Sequence, residues 1–487
     1  MTARLEKLAA ALPAPNPVLV RELRQMARNK FISIGLGAYL FIQLLVAALS
    51  VLAQDKDSAA HGAGIGESVA NSHCVVLGIL IIAALPFFTG VRMTREKASD
   101  NMDMQFTTTL KPVRFVDGKV LSAAVMALFF AAATMPFLVL AYLLRGVNAG
   151  AVFTVVATMM ISSVLMSCFS VLVGSSNFPS WLRNAFMAVL VVMIMPSTFM
   201  SAMVTIRLGG SSFMMPSGTN GWLAWLTSAA AAVTAGAIMR SMAAANLSSP
   251  HSNRQLPLKS IVAIAWIVWG VIAALTGNSD SVTQWAIPSA LLGNLMLANA
   301  VSMPSGCSRR VLAEISPLWR RLQFMFFTGA ENGICFALTM LTATALAANL
   351  ASGIYVNGIS DAHRVNALAF YPAAYLLSAR LLWQLALKRF LSCRVVWFIG
   401  AILMLLGILI PAFMSISAGH DFKASAVFGN IGGALFGGAF SSNNSDIRAA
   451  HSLMSGLWFT IMVAVVFPSI LSALKTFRPP AKKEALQ

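Results

Sequence analysis

The sequence predicts an all-α, polytopic integral membrane protein of about twelve transmembrane helices, with an N-terminal amphipathic helix lying at the membrane interface. Three observations predict it. Of 487 residues, 58% are hydrophobic and only 10% are charged, with a mean hydropathy of +0.77. That is too little polarity to cover a water-soluble chain of this length. The apolar residues fall in blocks of roughly 17–25, the length that crosses the hydrocarbon layer as a helix. The basic residues fall mostly in connections on alternate sides. Residues 1–15 are mixed and polar, so no cleavable leader is expected there.

The interfacial helix comes first. Asn16 is a favoured N-cap, Pro17 suits the first helical position, and the segment runs to Lys30. At about 100° per residue, Leu19, Leu23, Met26 and Ala27 fall on one face, and Arg21, Arg24 and Arg28 on the other. Such a helix puts its apolar side in lipid and its cations toward anionic headgroups.

Spans are expected at about 31–53, 75–91, 120–144, 152–173, 185–204, 222–239, 260–276, 285–303, 327–350, 367–387, 395–416 and 453–474. The two membrane halves are 1–250 and 251–487. Arg92, Arg95, Lys97, Lys111, Arg114 and Lys119 share one connection, and Arg309, Arg310, Arg320 and Arg321 another. The opposite connections carry few cations, so both termini are expected in the cytoplasm. The +18 net charge follows this topological pattern, which excludes nucleic acid as its explanation. Five scattered cysteines without a CxxC pair read as small apolar fillers. The 27 methionines are spread through the spans and read as packing residues, and the histidines fall in loops or at span ends without ligand spacing. No metal and no cofactor is expected.

The segment 92–119 is the longest and most charged inside connection. Residues 95–106 are expected to form a short helix showing Met102 and Phe106 at i, i+4, an adaptable anchor for a partner protein. The plainer reading, a charged connecting loop, stands beside it. Asn16, Pro17, Arg21, Glu22 and Leu23, followed by Arg95, Glu96 and Lys97, then Thr108 and Leu110, then Gly118-Lys119 at the mouth of the third span, together resemble the type-two permeases of the ATP-binding cassette transporters. The resemblance covers about the first 145 residues. It departs from the family pattern at Asp100-Asn101, where Gly-Thr is usual, and at Thr109, where Pro is usual.

The resemblance implies a permease subunit, an exporter, energised by a separate ATP-binding cassette ATPase that docks on the segment after span two. Arg95, Glu96, Lys97, Met102, Phe106, Thr108 and Leu110 are then the docking candidates. The chain carries no GxxxxGK[ST] phosphate loop, so it is not expected to be an enzyme itself, and hydrolysis belongs to a partner. A second permease chain and membrane lipids are the other expected partners, in the inner (plasma) membrane.

Two charged residues stand apart. Arg380 lies inside a span, where an arginine is costly and is a functional candidate by default; the alternative is snorkelling beside Lys388 and Arg389. Glu331 sits near a span start and is expected to pair with Arg320 or Arg321 at the interface, or with Arg380 if their helices adjoin. A short echo of Asn16–Leu23 at Ser316–Leu322 hints at an internal duplication. Two other readings compete: a twelve-span secondary transporter, which suffers from the poverty of intramembrane carboxylates, and a lipid-linked glycosyltransferase, whose only cue is Asp55 and Asp57.

Overall fold

The computed structural model of the protein describes residues 16–28, 30–52, 65–98, 111–144, 149–176, 183–185, 187–188, 218–248, 252–276, 279–306, 309–313, 319–354, 359–418 and 445–477. Every regular element among them is helical. The chain divides into two compact units, Met1–Ser248 and Ser249–Gln487.

The first unit contains α1 (Pro17–Ala27), α2 (Lys30–Leu52), α3 (Ile65–Ala98), α4 (Pro112–Leu143), α5 (Ala149–Ser175) and α6 (Gly218–Leu247). The second contains α7 (Leu256–Leu275), α8 (Ser279–Val301), α9 (Arg309–Ala313), α10 (Arg320–Phe326), α11 (Ala330–Ile354), α12 (Ile359–Leu382), α13 (Val396–Ala418) and α14 (Ser445–Thr476). Among the described residues, nine helices are long and apolar enough to cross a membrane: α2 to α5, α7 and α11 to α14. Leu44, Leu128, Leu346 and Leu457 are each about 60% exposed on these helices. Rows of exposed leucine on long helices are what lipid, rather than water, accommodates. Helices α6 and α8 are also long, but alanine dominates one, and Asn294, Asn299 and Ser289 dilute the other.

Several boundaries differ from expectation. The outside connection expected at 54–74 ends early, because α3 begins at Ile65. The inside segment 92–119 is trimmed at both ends, since α3 runs to Ala98 and α4 starts at Pro112. The reason is the same in each case: a span helix continues past the apolar block through polar residues that have a side-chain partner. The expected span 185–204 lies almost wholly outside the described residues.

In the first unit α5 packs against α3, α4 and α6, and α1 lies on α4. The core joins Tyr39, Leu77, Ile81, Ala127, Phe130 and Val156 across four helices. Midway along, α3 widens into a π turn over Ile79–Ala84. A π turn displaces carbonyls from the regular ladder. The Ile81 carbonyl accepts 2.6 Å from the Ser163 hydroxyl of α5. In the second unit α12 packs against α8, α11, α13 and α14. The Asn294 amide of α8 donates to the Leu368 carbonyl of α12 at 3.1 Å.

Buried polar side chains join helices within each unit. Gln43 donates 2.6 Å to the Tyr39 hydroxyl, which meets the Thr134 hydroxyl at 2.5 Å, and His73 Nδ1 meets the Gln43 carbonyl oxygen. The Tyr371 hydroxyl lies 2.9 Å from His451 Nδ1, and Asn349 and Asn366 exchange two bonds of 3.0 Å. His73 and His451 are therefore buried within helices, not at span ends as expected. Replacing Ser163 by alanine strands the Ile81 carbonyl in an apolar setting. The variant is expected to lose about 0.6 kcal/mol, typical of an interhelical bond in a membrane protein, read by thermal unfolding in detergent against wild type.

Candidate functional site

The site is a knot of charges where α1, α3 and α4 meet. It is assembled by three successive residues of α4, each turned to a different neighbour. Asp117 accepts a two-pronged hydrogen bond from Arg240 of α6, its Oδ2 at 2.7 Å from Nη2. Gly118 lets α1 come close: a Cβ there would lie 2.6 Å from the Val18 Cβ, a distance real Cβ atoms do not reach. Lys119, 2% exposed, reaches between two carboxylates. Its Nζ donates to Glu22 Oε1 of α1 at 2.9 Å and to Glu96 Oε1 of α3 at 2.5 Å.

The local sequence explains α1. Asn16 accepts from the Val18 amide at 3.1 Å, capping the helix, while its own amide donates 2.5 Å to the Arg114 carbonyl of α4. One side chain thus starts the helix and ties it down. Val18 and Glu22, at i and i+4, form the face buried in the protein. Val18 joins Met93, Phe115, Val116, Val171, Ala243 and Ala244 in an apolar cluster under the knot. Arg92 of α3 closes on the other oxygen of Glu22 at 2.7 Å, and Arg21 lies at 3.6 Å. Burial alone would raise the Glu22 pKa. The charge and hydrogen bond of Lys119, then Arg92 and Arg21, reverse that and hold it below the ordinary carboxylate value.

Arg21, Arg24 and Arg28 are exposed, and Leu19, Leu23 and Met26 are half-buried. The buried face of α1 is one step round from the apolar face expected, because a buried glutamate leads it. Arg95, Glu96 and Lys97 do not begin a separate helix over 95–106; they are the last turn of α3. Their side chains divide. Glu96 joins the knot. Lys97 donates to the Ser175 and Ser176 carbonyls at the end of α5, the latter at 2.9 Å, where a cation also complements the helix dipole. Arg95 is exposed. Met102, Phe106, Thr108 and Leu110 lie outside the described residues.

The second unit holds a buried cation of its own. Arg380 of α12 is 2% exposed and does not snorkel. Its Nη1 donates to the Val301 carbonyl at 2.8 Å, at the end of α8, and Nη2 donates to the Ser305 hydroxyl at 3.1 Å. Glu331, in the first turn of α11, faces it at 3.9 Å. Arg320 is turned away from Glu331 and caps α14, donating to the Leu474 carbonyl at 2.6 Å and to that of Phe477. The expected interfacial pairing of Glu331 is therefore replaced by the buried one. Lys259 donates to the Met325 and Phe327 carbonyls, each at 2.8 Å.

Sequence reasoning picked Glu22, Glu96 and Lys119 as motif letters without joining them, and missed Val18, Asp117 and Arg240. The signal for Asp117 was present, since an ionisable residue at the mouth of a span needs a partner. Comparisons with family models, with curated proteins and with solved structures give no match to this chain.

Lys119→Met leaves the buried Glu22 and the half-buried Glu96 without the cation between them. Removing one partner of a buried ion pair costs about 3–5 kcal/mol. The expected result is a thermal midpoint several degrees lower in detergent, partly restored when Glu22→Gln is added. Because the folded pKa of Glu22 is depressed, its contribution is complete above the ordinary carboxylate range and fades as pH falls through that range to the lowered value. The wild-type midpoint should therefore drop more between pH 7 and pH 4 than that of Glu22→Gln. Equal drops in the two proteins would remove Glu22 as the acid-sensitive group.

Proposed function

We propose that the chain is the transmembrane permease subunit of an ATP-binding cassette transporter, an exporter that draws its energy from a separate ATPase. On this reading it crosses the plasma (inner) membrane about twelve times, with both termini in the cytoplasm. The observation that carries it is the knot. Among the described residues of the permease resemblance, Glu22, Glu96 and Gly118-Lys119 lie far apart in sequence and meet at one buried lysine, while Arg95 is exposed and Lys97 turns to the end of α5. The connection 99–111 emerges between Glu96 and Lys119, so its two flanks are clamped to each other and to α1.

Such a clamp suits force transmission. A subunit that closes on ATP and pushes on this connection would move the ends of α3 and α4 together with α1 as one piece. The helices above would then change between two arrangements, each favoured by one state of the ATPase. The division of labour within Arg95–Lys97 follows: Glu96 and Lys97 hold the base together, and Arg95 faces outward for the partner.

A second reading draws on the buried histidines. His73 and His451 lie within the helix bundles, and Nε2 of His73 has no hydrogen-bond partner among the described residues. Intramembrane ionisable groups are what a proton-coupled secondary transporter uses. Transport into ATP-free vesicles driven by a pH gradient, and lost in His73→Gln, would favour this reading over the first.

For the first reading, Arg95→Glu should strip the ATPase from the purified permease and abolish permease-stimulated ATP hydrolysis, with the thermal midpoint unchanged. Glu96→Gln should instead lower the midpoint. Full retention of a bound, stimulated ATPase in Arg95→Glu would refute docking at this segment.

A further inference from the structure

The turn between α12 and α13 leaves its charges unspent. One membrane-length helix ends at Leu387 and the next begins at Cys393, so Lys388–Ser392 joins two spans with little between them. A π turn over Trp383–Leu387 closes α12, and a 3-10 turn over Cys393–Val395 leads into α13. The connection is pinned. The amides of Phe390 and Leu391 both donate to the Leu387 carbonyl, at 3.0 and 2.9 Å. The Leu391 carbonyl accepts 2.7 Å from the Trp383 indole, and the buried Arg380 guanidinium covers that ring at 5.0 Å.

A turn held this firmly cannot fold its side chains away. Phe390 is 82% exposed and Leu385 79%. Lys388, Arg389 and Arg394 are exposed with them. Large apolar side chains so bare are costly in water. Set among cations, they suit the boundary where acyl chains meet headgroups.

A fourth cation comes from another element. Arg254, just ahead of α7, is half-buried, and the like charge of Arg394 bears on it. Burial, and then that charge, lower its pKa. Among the described residues, none of Arg254, Lys388, Arg389 and Arg394 makes an ion pair or a side-chain hydrogen bond. Elsewhere in the unit Lys259, Arg320 and Arg380 each find carbonyls or a carboxylate. Beside Arg254, both polar atoms of the Asn253 side chain also lack a partner among the described residues.

Two guanidiniums that repel each other and have no carboxylate make a site short of an anion. A phosphate answers it, since each guanidinium offers its oxygens a planar fork of donors. Position selects the phosphate. A connection as short as Lys388–Ser392, with both ends fixed at span ends, cannot rise more than about 10 Å. That is close to the depth of the headgroup layer, so the turn stays among lipids and does not reach out to a soluble partner.

We propose that this turn and the start of α7 bind an anionic phospholipid, with Arg254 and Arg394 on its phosphate, Lys388 and Arg389 beside them, and Phe390 and Leu385 against its acyl chains. The lipid ties the start of α7 to the α12–α13 turn and relieves the repulsion between the two arginines. The site needs only the membrane class and is independent of the ATPase reading.

The test uses the whole chain, purified in neutral detergent and delipidated. It is titrated with phosphatidylglycerol, phosphatidylcholine or inorganic phosphate. Adducts are counted by native mass spectrometry, and the thermal midpoint is read in parallel. Wild type should hold phosphatidylglycerol about tenfold more tightly than phosphatidylcholine, with a gain in midpoint that inorganic phosphate does not reproduce. Arg254→Gln combined with Arg394→Gln should weaken phosphatidylglycerol binding about tenfold or more. Without lipid, the same double variant should keep or raise the midpoint, because a repulsion is gone. Phe390→Ser should also weaken the lipid. Arg321→Gln, which removes an exposed cation elsewhere in the unit, should not. Undiminished phosphatidylglycerol binding in the double variant, an equal loss in Arg321→Gln, equal affinity for phosphatidylcholine, or displacement by inorganic phosphate would overturn the lipid site. So would a lower lipid-free midpoint in the double variant, which would make the two arginines structural. A photocrosslinker at position 390 that captures protein rather than lipid in native membranes would overturn it as well.

Discussion

Everything in the first unit's base depends on burying one ammonium group between two carboxylates. An unpaired charge at a place like Lys119 would be expelled or neutralised, because the loss of hydration exceeds anything a single hydrogen bond returns. With Glu22 and Glu96 both in reach, and Arg92 on the far side of Glu22, the charges compensate one another. The geometry needed is strict. It requires α1 to press against α4, which only the bare backbone at Gly118 permits, and it requires α3 to run past its apolar block as far as Glu96. The amphipathic N-terminal helix is consequently a structural part of the first unit's bundle. Its basic residues face outward, and its single acid faces in.

The same economy recurs wherever helices end. Last-turn carbonyls have no intrahelical partner, and here cations from elsewhere in the unit cover many of them. Lys97 covers the end of α5, Arg380 the end of α8, Lys259 the end of α10 and Arg320 the end of α14. Each such bond couples two helices at the place where a connection leaves the bundle. Other helix pairs are coupled by neutral groups: Tyr39 with Thr134, Asn349 with Asn366, Tyr371 with His451. The buried cations Lys119 and Arg380 are instead compensated by carboxylates and carbonyls of neighbouring helices.

The membrane class and most helices were legible because apolar length is a strong signal; nine helices meet it among the described residues. The cap of α1 was legible from Asn16-Pro17 alone, since capping is local chemistry. Helix ends were not, because they are fixed by distant partners: α3 continues because Glu96 meets Lys119 and Lys97 meets α5. The role of Glu22 was hidden for the same reason. On a helical wheel it is a lone acid among arginines, and only the approach of α4 makes it a buried counter-ion. Arg380 illustrates the opposite error. Its nearness to Lys388 and Arg389 suggested a side chain reaching for the surface, but the buried last-turn carbonyl of Val301 in α8 and the carboxylate of Glu331 offered a closer partner. Residues 99–110 and 189–204 carry sequence expectations that lie outside the described residues.

A buried ionic clamp is an inefficient way to obtain stability, since an apolar cluster of the same volume does as well. Its distinctive property is geometric. Apolar contacts can slide by a few tenths of an ångström at little cost, whereas a lysine held by two carboxylates loses several kilocalories per mole when either moves away. Placed at both flanks of a connection, it makes the two helix ends rise and fall together. The rest of the first unit's bundle has the opposite character, with alanine-rich α6, a π turn in α3 and a proline within α4. Small residues and displaced carbonyls allow helices to shift against one another. On the proposed permease reading, a stiff base joined to a compliant bundle would convert a push at the connection between α3 and α4 into a rearrangement along the helices of the first unit.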